Sequence, residues 1–204
     1  DFRPYVFKTT DYGATWTSLA AGLPEGPVNV LREDVKNPNL LFAGTDFGVY
    51  VSTDGGGAWL KMKNDLPTQP IHDLKVQPRE SDLIVATHGR GAYIADIKPL
   101  QELTPEVLAK DVHLFAVESK VRYAGTDRRK SSSSNFSGES EPAGMIIYYS
   151  LKAKPQGDIK LRVLAGNMPL IELAGTAEVG LNKVFWNMTG RRERTAEEKK
   201  LAQE

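Results

Sequence analysis

Apolar and polar residues alternate over short stretches along much of the chain, which is the spacing of half-buried β-strands. Ile159-Lys160-Leu161-Arg162-Val163-Leu164 is the clearest case, with apolar and basic positions taking turns. Val112 to Val117 alternates in the same way, Met145 to Leu151 is strongly strand-forming, and Pro169 to Leu173 and Asn182 to Asn187 follow. The first half carries shorter runs: Val28 to Leu31, Leu40 to Gly44 and Gly48 to Ser52, then Ile71 to Val76, Leu83 to Thr87 and Gly91 to Ala95. Turn-forming clusters separate them, among them Asn37-Pro38-Asn39 and Pro78 to Asp82. One short helix is predicted, where Thr104 caps and Pro105 and Glu106 open the first turn.

The runs of the first half belong to a repeat. Thr9-Thr10-Asp11-Tyr12-Gly13-Ala14-Thr15-Trp16 returns as Ser52-Thr53-Asp54-Gly55-Gly56-Gly57-Ala58-Trp59, 43 residues later. Both copies read [Ser/Thr]-x-Asp-x-Gly-x-x-Trp, and the match extends to Pro24 with Pro67, Pro27 with Pro70, Val28 with Ile71 and Leu31 with Leu74. It continues with Leu40 and Leu83, Ala43 and Ala86, Gly48 and Gly91, and Tyr50 and Tyr93. A fixed period of this length, with four short strands in each unit, is the signature of a β-propeller blade. Within the motif, the Asp side chain accepts local backbone N–H groups, Gly supplies the left-handed backbone, and Trp opens the next strand and covers the turn. Asp11, Gly13, Trp16, Asp54, Gly56 and Trp59 are therefore expected to staple hairpins, and Asp11 and Asp54 are not expected to be catalytic acids. Ala95-Asp96-Ile97-Lys98-Pro99 stands where a further motif would fall, so the array is expected to stop there.

Composition narrows the functional classes. The 204 residues carry 26 basic and 26 acidic side chains, a balance that argues against a nucleic-acid or anionic-membrane partner. With no cysteine, disulfide scaffolds, thiol nucleophiles and thiolate zinc sites are excluded. No apolar run reaches the roughly 20 residues of a membrane-spanning helix. The three histidines, His72, His88 and His113, are well apart and give no metal-ligand spacing. No cofactor or metal is expected.

The segment from Ile71-His72-Asp73-Leu74 through Asp82 to Thr87-His88-Gly89-Arg90-Gly91 closely resembles the last blade of the BNR-repeat, or Asp-box, propeller proteins. These are the sialidase-like and sortilin-like "glycosyl hydrolases". In that family an Ig-like sandwich follows the propeller, and Glu141 to Tyr149 and Gly180 to Trp186 are similar to its recurring segments. The resemblance spans about residues 5 to 190. It implies an all-β chain: terminal propeller blades over 1–98, a linker over 99–111, an Ig-like or fibronectin-like sandwich over 112–190 and a charged tail over 191–204. Two blades and part of a third cannot close a ring of four to eight, so the remaining blades of a longer protein are expected as partners. Relatives complete the sandwich with a Pro-Gly-x-Tyr hairpin that this sequence lacks, so the sandwich is expected to be truncated or completed by another chain. The opening residues read as the middle of a strand, with no initiator Met or signal peptide.

Candidate chemistry is sparse. Asp46, Asp73, Asp96, Arg90, His72 and His88 are the polar residues available to a central site, and none forms a diagnostic spacing for the paired carboxyls of glycoside hydrolysis. Because His72 and Asp73 are neighbours in a strand, their side chains are expected on opposite faces. His88, Arg90, Asp46 and Asp73 are the expected binding residues, with Arg90 suited to an anionic sugar or a peptide carboxylate. No catalytic residue is assigned. Arg128 to Asn135 reads as a mobile polar loop or a phosphate-binding patch, and the tail from Arg191 as a solvated helix, a disordered end or a partner-binding element. Asn135-Phe136-Ser137 and Asn187-Met188-Thr189 are glycosylation triplets of a kind that chance often produces. The expected function is scaffolding and recognition of a carbohydrate or protein within a large secreted, periplasmic or cell-surface protein. Alternatives are part of a sialidase- or xyloglucanase-like glycoside hydrolase whose carboxylates lie mostly on other blades, and a sortilin-like peptide-binding module.

Overall fold

A computed structural model of the chain describes residues 2–63, 66–121 and 144–190. Arg128 to Asn135, the triplet at Asn135 and the tail from Arg191 lie outside these residues. The fold is all-β, built of antiparallel sheets of which none closes into a barrel. Contacts divide the chain into two units, Asp1–Ala109 and Lys110–Glu204.

The first unit opens with a hairpin of β1 (Phe7–Lys8) and β2 (Thr17–Ser18). A four-stranded meander follows: β3 (Val28–Glu33), β4 (Leu41–Thr45), β5 (Gly48–Ser52) and β6 (Leu60–Lys61). A second meander, β7 (Ile71–Gln77), β8 (Asp82–Thr87) and β9 (Ala92–Asp96), has three strands, because after Asp96 the chain enters α1 (Lys98–Gln101) and α2 (Pro105–Leu108). Every residue of β4 is buried, since the four-stranded sheet is covered on both faces. On one face Val30, Phe42, Val49 and Val51 pack against Ile71, Leu74, Leu83 and Val85 of the second meander. On the other, Leu41, Ala43 and Trp59 pack against Leu19, Leu23, Leu31 and Tyr50. Gly44 lets the sheets close up: a Cβ there would sit 2.6 Å from Val30 Cγ1 and 2.8 Å from Ile71 Cγ2.

Polar bonds hold the same interface at its margins. Arg32 donates through Nε to the Leu74 carbonyl at 2.7 Å and through Nη2 to Asp73 Oδ1 at 2.8 Å. Lys36 Nζ reaches Ser81 Oγ at 2.6 Å. Asp34 is buried among N–H donors: Lys36 N and Asn37 N at 2.8 Å on Oδ2, and Gln101 Nε2 at 2.7 Å on Oδ1, which ties α1 to the loop before β4.

Strand register corrects the uniform repeat. Leu31, Ala43 and Tyr50 face one another across β3, β4 and β5, and Leu74, Val85 and Tyr93 do so across β7, β8 and β9. The outer strands thus keep the 43-residue spacing while the middle strand is offset by 42, so Leu83 occupies the place of Leu41, not of Leu40. By the same shift Ala86 corresponds to Gly44 rather than to Ala43. The connection between the first two strands is one residue shorter in the second meander and the following hairpin one residue longer, so the phase is restored by β9. Matching bonds mark the equivalence: Thr45 Oγ1 donates to the Gly48 carbonyl at 3.0 Å and Thr87 Oγ1 to the Gly91 carbonyl at 2.7 Å.

In the second unit, β10 (Val112–Leu114), β11 (Met145–Leu151) and β14 (Gly180–Trp186) form one sheet with β11 central, and β12 (Ile159–Ala165) and β13 (Met168–Gly175) form a hairpin. Ile147, Tyr149 and Leu151 point inward at alternate positions, as period-two strands require. Tyr149 donates its hydroxyl to the Thr176 carbonyl. Asn182 is buried and fully engaged, donating to the Glu178 and Gly180 carbonyls and accepting from Thr176 Oγ1 and Glu178 N. An apolar cavity of about 570 Å³ lies within this unit, bordered by Leu114, Met145, Ile147, Leu161, Val163 and Trp186.

Candidate functional site

The motif turns are near copies in hydrogen bonding. In the first, Thr9 Oγ1 donates to Asp11 Oδ1 at 2.8 Å and accepts from Gly13 N at 2.8 Å, while Thr15 N donates to Asp11 Oδ1 at 2.9 Å. In the second, Ser52 Oγ donates to Asp54 Oδ1 at 2.7 Å and accepts from Gly56 N at 2.8 Å, while Ala58 N donates to Asp54 Oδ1 at 2.9 Å. Hydroxyl and carboxylate together satisfy the amides of a turn whose backbone is left-handed at Tyr12 and Gly13 in one copy and at Gly55 and Gly56 in the other. Bonds from the Thr15 hydroxyl and amide, then the Thr9 hydroxyl, lower the Asp11 carboxyl to a pKa of about 2. The Ser52 hydroxyl, followed by the Ala58 amide, lowers that of Asp54. Both carboxylates are thus held charged and consumed by their own turns, a poor arrangement for proton transfer near neutral pH.

The tryptophans differ. Trp59 is 7% exposed and donates its indole N–H to the Leu19 carbonyl at 2.8 Å, reaching back to the segment before β3. Trp16 is 60% exposed and donates to its own turn, at the Gly13 carbonyl, 3.1 Å away.

The remaining candidates gather where the hairpins β4–β5 and β8–β9 turn. Each meander has a β-bulge in its first strand, at Asn29 and at His72, so that one extra residue is re-aimed there. In the first meander Asn29 Nδ2 donates to Asp46 Oδ1, in the β4–β5 turn, at 2.9 Å. In the second, the bulge residue His72 meets His88 of the β8–β9 loop with ring centroids 4.9 Å apart and planes inclined at 33°. The two pairs occupy equivalent places. This corrects the expectation that the histidines are well apart, for bulge and hairpin bring together residues that sequence separation conceals. His72, His88 and Arg90 are all exposed, and Arg90 makes no hydrogen bond or ion pair with any described residue. The loop that carries them is fixed at both ends: His88 N donates to the Pro70 carbonyl at 2.9 Å and Thr87 N to the Gly91 carbonyl at 3.1 Å. Gly89 and Gly91 have positive φ, 76° and 77°, and open space where a Cβ would stand.

Asp73 does not join this group freely. Its Oδ1 accepts from Arg32 Nη2 and from Leu74 N, so its first role is to fasten the two meanders. Nor do His72 and Asp73 simply alternate across a flat strand, since the bulge falls between Ile71 and Asp73 and both side chains are exposed. Asp96 accepts from Lys98 N at 2.9 Å, where the chain enters α1. Asn29, Asp34 and Gln101 were not among the sequence candidates, although Asn29 stands 43 residues before His72 and the repeat could have pointed to it. Among the described residues, no group of three or more His, Cys, Asp or Glu side chains is placed to hold a metal, and no helix is long and apolar enough to cross a membrane. No protein-family model matches the chain, and no curated protein matches it significantly.

Proposed function

We propose that the chain is a non-catalytic recognition scaffold, consisting of consecutive blades of an Asp-box β-propeller followed by an Ig-like accessory domain. On this reading it belongs to a larger secreted, periplasmic or cell-surface protein, and the bulge-and-hairpin end of the blades meets the ligand. The observation that carries the reading is the head-to-tail order of the meanders. The face of the second meander turned to the first, with Leu74, Leu83, Val85 and Tyr93, is equivalent to the face that the first turns to Leu19 and Leu23. Each unit therefore presents a different face to its predecessor and its successor, the arrangement of a repeat array. The successor face of the second meander carries Ile84 and Ile94, in the places of Phe42 and Val51, and Ile94 is 70% exposed.

Arg90, exposed between two glycines and without a partner among the described residues, suits an anionic carbohydrate, whose carboxylate takes two parallel bonds from a guanidinium. Screening against sialylated and uronate-bearing glycans tests this. Binding is expected to weaken about 10- to 100-fold in an Arg90→Ala variant, as for a lost charge-assisted hydrogen bond. Unchanged binding would remove Arg90 from the site. Release of aryl aglycones from aryl glycosides by the purified chain would overturn the non-catalytic reading.

A further inference from the structure

We infer that His72 and His88 form an open two-imidazole site for a divalent transition-metal ion such as Zn²⁺ or Cu²⁺. The inference does not depend on the propeller reading or on Arg90. Neither ring has a hydrogen-bond partner among the described residues; the bond made by His88 is through its backbone N–H. Among the described residues the ring nitrogens are thus uncommitted, and both residues are exposed to solvent.

The separation of the ring centroids leaves room for one shared ion. A metal–nitrogen bond of about 2.05 Å places the ion about 3.2 Å from each ring centroid. Two such rings then stand about 4.5 Å apart at a 90° angle and about 5.2 Å apart at the tetrahedral angle. The observed 4.9 Å lies between these values. The backbone beneath is held on either side of His72 by the pairing of Ile71 and Asp73 on β8 and at His88 by its bond to Pro70, so the remaining adjustment is rotation of the side chains. The equivalent place in the first meander shows what the scaffold does with other residues: Asn29 and Asp46 close on each other with a hydrogen bond, leaving no donor pair turned outward. With two protein ligands, the other coordination positions take water or an oxygen of a ligand.

The chain suits a direct test because it has no cysteine and a single other histidine, His113, which lies in the second unit. Zn²⁺ and Cu²⁺ are titrated into the intact chain by calorimetry, with imidazole signals followed by NMR for Zn²⁺. One equivalent is expected to bind at sub-millimolar concentration, with the His72 and His88 signals moving together and those of His113 remaining still. His72→Gln and His88→Gln are each expected to weaken binding about tenfold or more, as when one arm of a two-point attachment is cut. Since both rings are exposed, unchanged circular dichroism separates this loss from misfolding. No saturation up to about 1 mM metal, equal binding by both variants, or binding that follows His113→Gln instead, would each overturn the site.

Discussion

The two copies of the turn motif share their local bonds and differ in their surroundings. Hydroxyl, carboxylate and amide spacings agree within about 0.1 Å between the Thr9–Thr15 and Ser52–Ala58 turns. Yet one indole is buried against a preceding segment and the other is mostly exposed. The turn is thus a product of eight neighbouring residues, whereas burial of its tryptophan is a product of the segment packed against it, which for Trp59 includes Leu19. A motif of this kind assembles locally and matters globally only where a neighbour is present.

The largest effect that would break this contrast lies at the tryptophans. Trp59→Ala is expected to cost about 3–5 kcal/mol, as for truncation of a buried aromatic, and Trp16→Ala within about 0.5 kcal/mol, in urea unfolding followed by circular dichroism. Similar losses at the two positions would mean that Trp16 is as well covered as Trp59. Next come the glycines. Gly56 has φ 96°, and a Cβ there would meet Leu19 Cδ1 at 2.8 Å, whereas at Gly13 (φ 94°) the nearest atom is Trp16 Cζ2 at 3.8 Å. Gly56→Ala is expected to cost about 2–3 kcal/mol and Gly13→Ala about 1 kcal/mol, the difference measuring contact with Leu19 beyond backbone strain.

Last come the aspartates, whose turns differ by one bond, from the Thr15 hydroxyl to Asp11 Oδ2 at 2.6 Å, which Ala58 cannot make to Asp54. Asp54→Asn is expected to cost about 1 kcal/mol, near the lower end for a lost hydrogen bond because the carboxylate is exposed to screening water. A lowered folded-state pKa means that the stabilisation is present above the ordinary carboxylate value and is lost as pH falls through the folded value. For Asp11 that window runs from 3.8 down to about 2. Melting temperatures measured over this range should fall on acidification, and the fall should be shallower in both Asp11→Asn and Asp54→Asn. An unaltered profile in either would show that its carboxylate gains nothing from the turn.

Much of the strand content was legible because alternation is a short-range property. Ile159 to Leu164 announces β12, and Met145 to Leu151 matches β11. The turn motif was legible for the same reason, since every bond that defines it joins residues at most four apart. The register shift of β8 was hidden, because a shorter connection followed by a longer hairpin leaves the 43-residue period between outer strands intact. The approach of His72 to His88 was hidden too, because it depends on a bulge and a hairpin that no spacing rule encodes. The engagement of Asp34 was hidden as well, because one of its partners, Gln101, lies 67 residues further along the chain.

The second meander shows where a chain of this kind can change length. Val76 pairs with Leu83 as Glu33 pairs with Leu41, and Ala86 with Ala92 as Gly44 with Val49, so the shorter connection and the longer hairpin are each taken up within their own loop. A one-residue slip of the pairing itself would turn a strand to its opposite face, and no such slip occurs, for Leu83, Val85 and Tyr93 stay on the covered side. Grafting the His88-Gly89-Arg90 loop onto the β4–β5 hairpin therefore requires no change in the Asp34–Leu40 connection. The hairpin loop is the part that can be exchanged between the two meanders.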